Sequence, residues 1–428
     1  MHRRNFLFNT SAFLAGSAFL PSSLRAIAPS DRVNIAVIGV NGMGWSNLNA
    51  LLKHPETNVV GLCDVDSNVL NRRAGELEKK TGKKAALYGD YRKLLENKDI
   101  DAVVIGTPDH WHCLQMTDAC AAGKDVYVEK PIGNSIAECR AMVNAQERTG
   151  RVVQAGQWQR SMNHFNDAIA FVHSGKLGKV RLVKVWAYMG WMKPVAIASN
   201  ATPPAGVDYK SWLGPAQMRD FNANRFHFNF RWFWDYAGGL MTDWGVHLID
   251  YALYGMKASN PKSIIAAGGK FAYPDDAAET PDTLTTVYEF DGFNMQWEHA
   301  TGINGGPYGR DHGIAFIGNN GTLVLDRGGW EVIAEKDKME SISRVKANDN
   351  GLDKHTKNWL EVIKSRKLDD LRCDIRTGAN VAVNAQMGNI AFRTGEKIYW
   401  QPKEGRFNNK AANALITPEY HNNYKLPK

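Results

Sequence analysis

The chain has 428 residues, of which 44% are hydrophobic and 22% charged, with a formal net charge of +8. This composition excludes a disordered chain, and the length exceeds one ordinary domain, so two domains are expected. The positive excess is not gathered into a lysine- and arginine-rich run, so nucleic acid is not an expected partner. Arg3, Arg4 and Arg25 fall in a stretch that reads as removable.

That stretch opens with Arg3-Arg4-Asn5-Phe6-Leu7 and continues as an apolar, Ala-, Ser- and Gly-rich run over residues 6–20. The run is short for a membrane span. Ala26-Ile27-Ala28 supplies small residues for cleavage, although Pro29 after them suits signal peptidase poorly. The pattern predicts a twin-arginine export signal over residues 1–28 and a periplasmic or secreted protein, touching membrane only through an uncleaved signal. The five cysteines, Cys63, Cys113, Cys120, Cys139 and Cys373, cannot all pair and do not make a disulfide framework. That suits a chain folded before export.

Over residues 29–155 short apolar runs at 34–38, 58–63, 102–105, 126–128 and 152–154 alternate with helical stretches at 68–80, 111–122 and 135–149. Unbroken apolar strands joined by helices imply a parallel, doubly wound α/β sheet buried on both faces, a Rossmann domain. Over residues 156–428 the pattern changes. Strands at 180–188, 262–268, 284–290, 294–299, 314–317, 322–325 and 331–334, with turn signals Asp291-Gly292 and Asn319-Asn320-Gly321, predict an open-faced, largely antiparallel sheet. Helices are expected at 164–173, 241–254, 356–365 and 379–392, and the polar tail after Gln401 reads as surface loop.

The first strand runs into Gly39-Val40-Asn41-Gly42-Met43-Gly44, close to the dinucleotide fingerprint except that Asn41 holds its third position. Asn tolerates positive φ, which would keep the turn. Asp64 ends the second strand 20 residues after Gly44, where a carboxylate accepts the adenosine ribose hydroxyls and repels a 2′-phosphate. NAD is therefore the expected cofactor. Thr107, Pro108 and His112 follow the strand at 102–105, and Glu129-Lys130-Pro131 follows the strand at 126–128, both at the carboxyl edge that lines the ligand crevice. Lys130 there could hydrogen-bond a substrate hydroxyl and steady the developing alkoxide. Asp243 and His247, four apart after Gly238-Gly239, would share a helix face, with His247 as base and Asp243 orienting it and favouring its charged form. A metal reading of Asp243, His247, Asp250 and Asp311-His312 lacks a closing ligand pattern, and no metal is expected.

Together these pieces resemble the Gfo/Idh/MocA oxidoreductases, most specifically through Ala122-Gly123-Lys124-Asp125-Val126 before Glu129-Lys130-Pro131 and through the block Gly238–His247. The resemblance implies a catalytic set of Lys130, Asp243 and His247, action on sugars or cyclitols, and a homo-dimer or homo-tetramer built on the second sheet. With the leader, it points to a secreted branch that retains NAD. One group of similar proteins consists of NAD-dependent glycosidases, which oxidise, eliminate and re-reduce. They typically lack the lysine that stands here as Lys130, which favours net oxidoreduction with glycoside cleavage as the alternative. Seven of the thirteen tryptophans lie between Trp158 and Trp244, forming either sugar-stacking walls or core. Gln157, Arg160, His164, Arg231, Trp232, Tyr308, Arg310 and His312 are the candidate substrate contacts.

Overall fold

A computed structural model describes residues 32–428; the leader, its arginine pair and its cleavage site lie outside the described residues. Strands β1 (Val33–Ile38), β2 (Thr57–Cys63), β3 (Ala86–Tyr88), β4 (Ala102–Ile105), β5 (Asp125–Val128) and β6 (Val153–Ala155) form one sheet in the order β3-β2-β1-β4-β5-β6. Every pairing within it is parallel. The strand order reverses between β1 and β4, so a crevice opens beyond their carboxyl ends. Buried polar caps fix where the helices start: Asp66 accepts from the backbone of Asn68 and Val69, and Ser135 from that of Glu138. β3 and the helix Tyr91–Glu96 escaped the periodicity reading because β3 is only three residues long with little burial, and the helix only six.

The second sheet contains β7 (Leu182–Met189), β8 (Ser263–Gly269), β9 (Thr283–Phe290), β10 (Phe293–Thr301), β11 (His312–Ile317), β12 (Gly321–Asp326), β13 (Gly329–Ala334), β14 (Ile342–Lys346), β15 (Ile398–Gln401) and β16 (Arg406–Phe407). Its order is β14-β13-β12-β11-β7-β10-β9-β8-β15-β16, antiparallel except where β7 runs parallel to β10. Helices Gly245–Met256 and Ile375–Thr394 cover one face. The register puts Leu182, Ile265 and Ile333 together on the other face, each about half exposed. The α/β architecture with a mixed, mostly antiparallel second sheet is the one expected.

The strands β14 and β15 are not among those expected, and two further features differ. The helix read at 241–254 is two pieces, Gly239–Asp243 and Gly245–Met256, joined at Trp244. The tail after Gln401 is not plain loop: it forms β16 and the helix Lys410–Ala414, and Phe407 and Ala412 are buried. Its aromatic and small side chains pay for that order by joining the second domain's core, which a composition reading of the polar tail misses. The helix Gly351–Ser365 returns to the first sheet, where Trp359 meets Tyr127 edge-on at 5.7 Å. All five cysteines are buried and unpaired. Among the described residues no helix is long and apolar enough to cross a membrane.

Candidate functional site

The turn after β1 is built by close backbone contact. A Cβ at Gly44 would stand 1.9 Å from the Gly39 carbonyl oxygen, and one at Gly39 would stand 2.7 Å from the Thr107 nitrogen. The positive φ falls on Gly42 (+46°), not on Asn41, which is extended at φ −100° and needs no special tolerance. Asn41 makes no side-chain cap, so the first-turn N–H groups of the helix Gly42–Leu51 are left for a ligand. Asp64 accepts from the backbone N–H groups of Val40 and Asp66, both at 3.0 Å, which aims its carboxylate at the crevice. Burial raises its pKa against those two donors. This set fits NAD: free helix N–H groups for a pyrophosphate, a side-chain-free approach, and an acceptor for ribose hydroxyls.

Gly39, Asn41, Gly42, Met43, Asp64, Thr107, Pro108, His112, Glu129 and Lys130 all line one cavity. Gly44 lies behind it as packing. His112 holds the cavity's floor together, its ring nitrogens 2.7 Å from the Pro131 carbonyl and 2.8 Å from that of Thr107. Burial keeps its pKa at about 4. Glu129 accepts from Asn47 at 2.8 Å and is likewise buried, its pKa raised by that burial.

A segment spanning residues 190–237 closes the cavity from the second domain, bringing Trp212, Phe226, Phe228, Phe230 and Arg231 to its wall. It is tied down at the β2 end, where Ser67 and Asn68 donate to the Gly206 and Ala205 carbonyls at 2.9 and 2.8 Å. His227 stands 3.4 Å from Asp66 there. The C-terminal tail adds Tyr424, edge-on to Trp111 at 5.4 Å. Tyr420 donates to Glu138 at 2.6 Å, and Asn422 donates to the carbonyls of Gly214 and Ala216.

At the reacting end, Lys130 Nζ lies 2.6 Å from Asp243 Oδ1, and Arg231 Nε lies 3.3 Å from the same oxygen. Burial alone would raise the Asp243 carboxyl, but Lys130 and Arg231 outweigh it and hold the group well below the usual carboxylate range. Asp243 therefore serves Lys130 and Arg231, and among the described residues it makes no hydrogen bond to His247. The break at Trp244 accounts for this, since the two residues do not sit on one regular helix. His247 is 6% exposed with Nδ1 unpartnered. Burial, reinforced by Lys130 and Arg327, keeps its pKa far below the ordinary imidazole value, so it is neutral and not, as the spacing had implied, favoured in its charged form.

The candidate substrate residues divide. Arg231 lines the cavity, Gln157 donates to the Val246 carbonyl beside His247, and His312 packs on Trp244 at 5.0 Å. Tyr308 lies in an exposed loop at positive φ. The others are held elsewhere. Arg160 is locked to Asp250 by contacts of 2.6–2.9 Å, and His164 is buried against the Asp326 carbonyl. Trp232 is core at 4% exposure, and Arg310 pairs with Asp326 and Glu331. Asp250 is consumed by Arg160, and among the described residues no cluster of three ligands could hold a metal. Two residues at the site carried no sequence signal. Asp109 opens the helix after Pro108, and burial raises its pKa to about 7 against Lys130 and Arg231. Arg327 follows β12 over the rings of Trp244 and Trp158.

Comparison with known proteins agrees with this architecture. The description "Oxidoreductase family, NAD-binding Rossmann fold" matches residues 33–157, and "Oxidoreductase family, C-terminal alpha/beta domain" matches residues 171–426. An alpha-N-acetylgalactosaminidase of Shewanella oneidensis is 30% identical over 172 residues, covering 35% of this chain. The chain spans 38% of the length of such curated relatives. Among solved structures, the WlbA dehydrogenase of Bordetella pertussis in complex with NADH and UDP-GlcNAcA superposes with a TM-score of 0.63 at 18% identity, covering 86% of this chain and 99% of that one. The aldose-aldose oxidoreductase of Caulobacter crescentus gives 0.63 at 19%, covering 86% and 100%. With both of its domains matched and an NAD-shaped crevice at the strand switch point, the chain belongs to the Gfo/Idh/MocA family of NAD-binding oxidoreductases.

Proposed function

We propose that this protein transfers hydride between a sugar, glycoside or cyclitol hydroxyl and a tightly held NAD. The observation that carries the reading is the meeting of Lys130, from the end of β5, with Asp243 at the wall of the NAD crevice, with His247 four residues on, near enough to feel both charges though not itself lining that cavity. His247, neutral and buried, accepts the hydroxyl proton. Lys130, held by Asp243, donates a hydrogen bond to the substrate oxygen and stabilises the charge that gathers there. Arg231 shares the load on Asp243, keeping that carboxylate ionised. The nicotinamide, when bound, supplies the hydride acceptor.

The leader at Arg3-Arg4 supports export by the twin-arginine route, and outside the cytoplasm the cofactor would be reset in place by a second carbonyl substrate. The strap over residues 190–237 and the docked tail favour such retention. The open face of the second sheet, with half-exposed Leu182, Ile265 and Ile333 set among polar residues such as Lys184 and Gln296, supports a homo-dimer or homo-tetramer. Glycoside cleavage by transient oxidation is the second reading, favoured by the glycosyl hydrolase family 109 relatives and opposed by Lys130. The test has two parts. Denatured, purified protein should release NAD, and its absence ends the retained-cofactor reading. Mass spectrometry after incubation with a glycoside panel should show keto-sugar, whereas free aglycone without keto-sugar selects the hydrolytic reading.

A further inference from the structure

Among the described residues Arg327 is a guanidinium with no carboxylate in ion-pair contact. Its Nε is buried and unpartnered there, and its one hydrogen bond is Nη2 donating to Gln159 Oε1 at 3.3 Å. The carboxylates near it make their contacts elsewhere: Asp243 pairs with Lys130 and Arg231, Asp326 pairs with Arg310 and Arg344, and Asp311, which acts on Arg327 only through space, takes the hydrogen bond of His312, an imidazole that burial keeps neutral. The reacting end thus holds three cations around Asp243, and a desolvated charge left without a counter-ion is costly to maintain.

The surroundings define what is missing. Trp244 and Trp158 lie against the guanidinium with ring centroids at 4.4 and 5.0 Å, which leaves its N–H edge as the bonding surface. The same two indoles flank His247 and His312, with Trp158 6.2 Å from His247 and Trp244 5.0 Å from His312. Among the described residues His247 Nδ1 and His312 Nε2 are both buried without partners. Indole faces suit a sugar ring, and a planar N–H edge suits a carboxylate.

We propose that Arg327, with Trp158, Trp244 and His312, forms a subsite for the carboxylate of an acidic sugar, a hexuronic acid or its glycoside. The ring packs against the indole surface that the guanidinium leaves free, the carboxylate closes the unpaired guanidinium edge, and a ring hydroxyl falls to His247. This assignment rests on the sugar-oxidising reading given above and names its substrate class.

The experiment titrates the protein, as purified with its nucleotide, with glucuronate, galacturonate, glucose and glucose 6-phosphate, following tryptophan fluorescence and, separately, absorbance of reduced nicotinamide. At least one uronate should bind roughly tenfold or more tightly than glucose. Arg327→Gln should bring that ratio close to one, and Arg327→Lys should restore part of it. Equal binding of uronates and glucose by wild type overturns the proposal, and this arm needs no variant to fold. So does an Arg327→Gln variant that weakens uronate and glucose equally, and so does tighter binding of glucose 6-phosphate than of either uronate. Uronate-selective quenching without nicotinamide reduction would uphold the subsite while ending the oxidoreductase reading.

Discussion

Replacing Asp109 with Asn tests the electrostatics of the crevice directly. Asp109 is 7% exposed, and burial raises its pKa from the ordinary 3.8 to about 7 despite Lys130 and Arg231. The folded protein therefore binds this proton more tightly than the unfolded chain. Its stability must fall as pH rises from the unfolded pKa towards the folded one, and level off above it. At about 1.4 kcal/mol for each pH unit between the two pKa values, the full loss is about 4 kcal/mol, of which about 2.5 kcal/mol falls between roughly pH 5 and pH 8. Asn keeps the shape and removes the titration. Urea unfolding of wild type and Asp109→Asn at those two pH values, compared as a difference of differences, cancels every titration the two proteins share. The variant should gain about 2.5 kcal/mol on wild type at the higher pH. If the gap between them is the same at both, Asp109 ionises normally and the desolvation argued for this crevice is wrong.

Three further outcomes follow from the site. His247→Asn should cut turnover by roughly a hundredfold or more with bound NAD retained, as read by nucleotide content after denaturation; loss of the nucleotide instead would make His247 a structural residue. Gly44→Ala drives a methyl to within 1.9 Å of the Gly39 carbonyl, so the turn must open at a cost of about 1–3 kcal/mol, visible as a lower melting temperature and reduced nucleotide content. Unchanged values for both would show that the turn yields freely. Asp64→Ser removes the charge facing the ribose and should narrow the preference for NAD over NADP by about tenfold, measured by titrating nucleotide-stripped protein. A constant ratio would assign cofactor choice to other residues.

The parts of the fold that could be read from sequence are those with a repeating physical signal. Strands such as Val33–Ile38 and Ala102–Ile105 are buried on both faces, so their apolar runs carry the parallel sheet. β9 and β10 alternate buried and accessible positions, which carries the open sheet. Lys130, Asp243 and Asp64 were legible because each stands at a fixed offset from a strand end or glycine pair. Arg160 and Arg310 misled because an arginine near an aromatic cluster looks the same whether it meets a substrate or a buried aspartate. Arg327 and Asp109 had no signal of their own: what distinguishes them is which groups surround them in space, and these include Trp244, 83 residues from Arg327, and Arg231, 122 residues from Asp109. The tryptophans split for the same reason, Trp232 and Trp212 going to core while Trp158 and Trp244 face the charged cluster.

The nucleotide crevice is walled by the strand ends of the first sheet and, from stretches remote in sequence, by the strap over residues 190–237 and the segment around Tyr424. The strap and tail are hydrogen-bonded to one another through Asn422 and the Gly214 and Ala216 carbonyls, so displacing either one disturbs the other. If NAD is retained as proposed, its release requires a local opening of these docked segments, with the steep temperature and denaturant dependence such openings have. The lifetime of the loaded state then follows how firmly the stretch from Tyr420 to Tyr424 stays docked, a free-energy cost set far from the nicotinamide end.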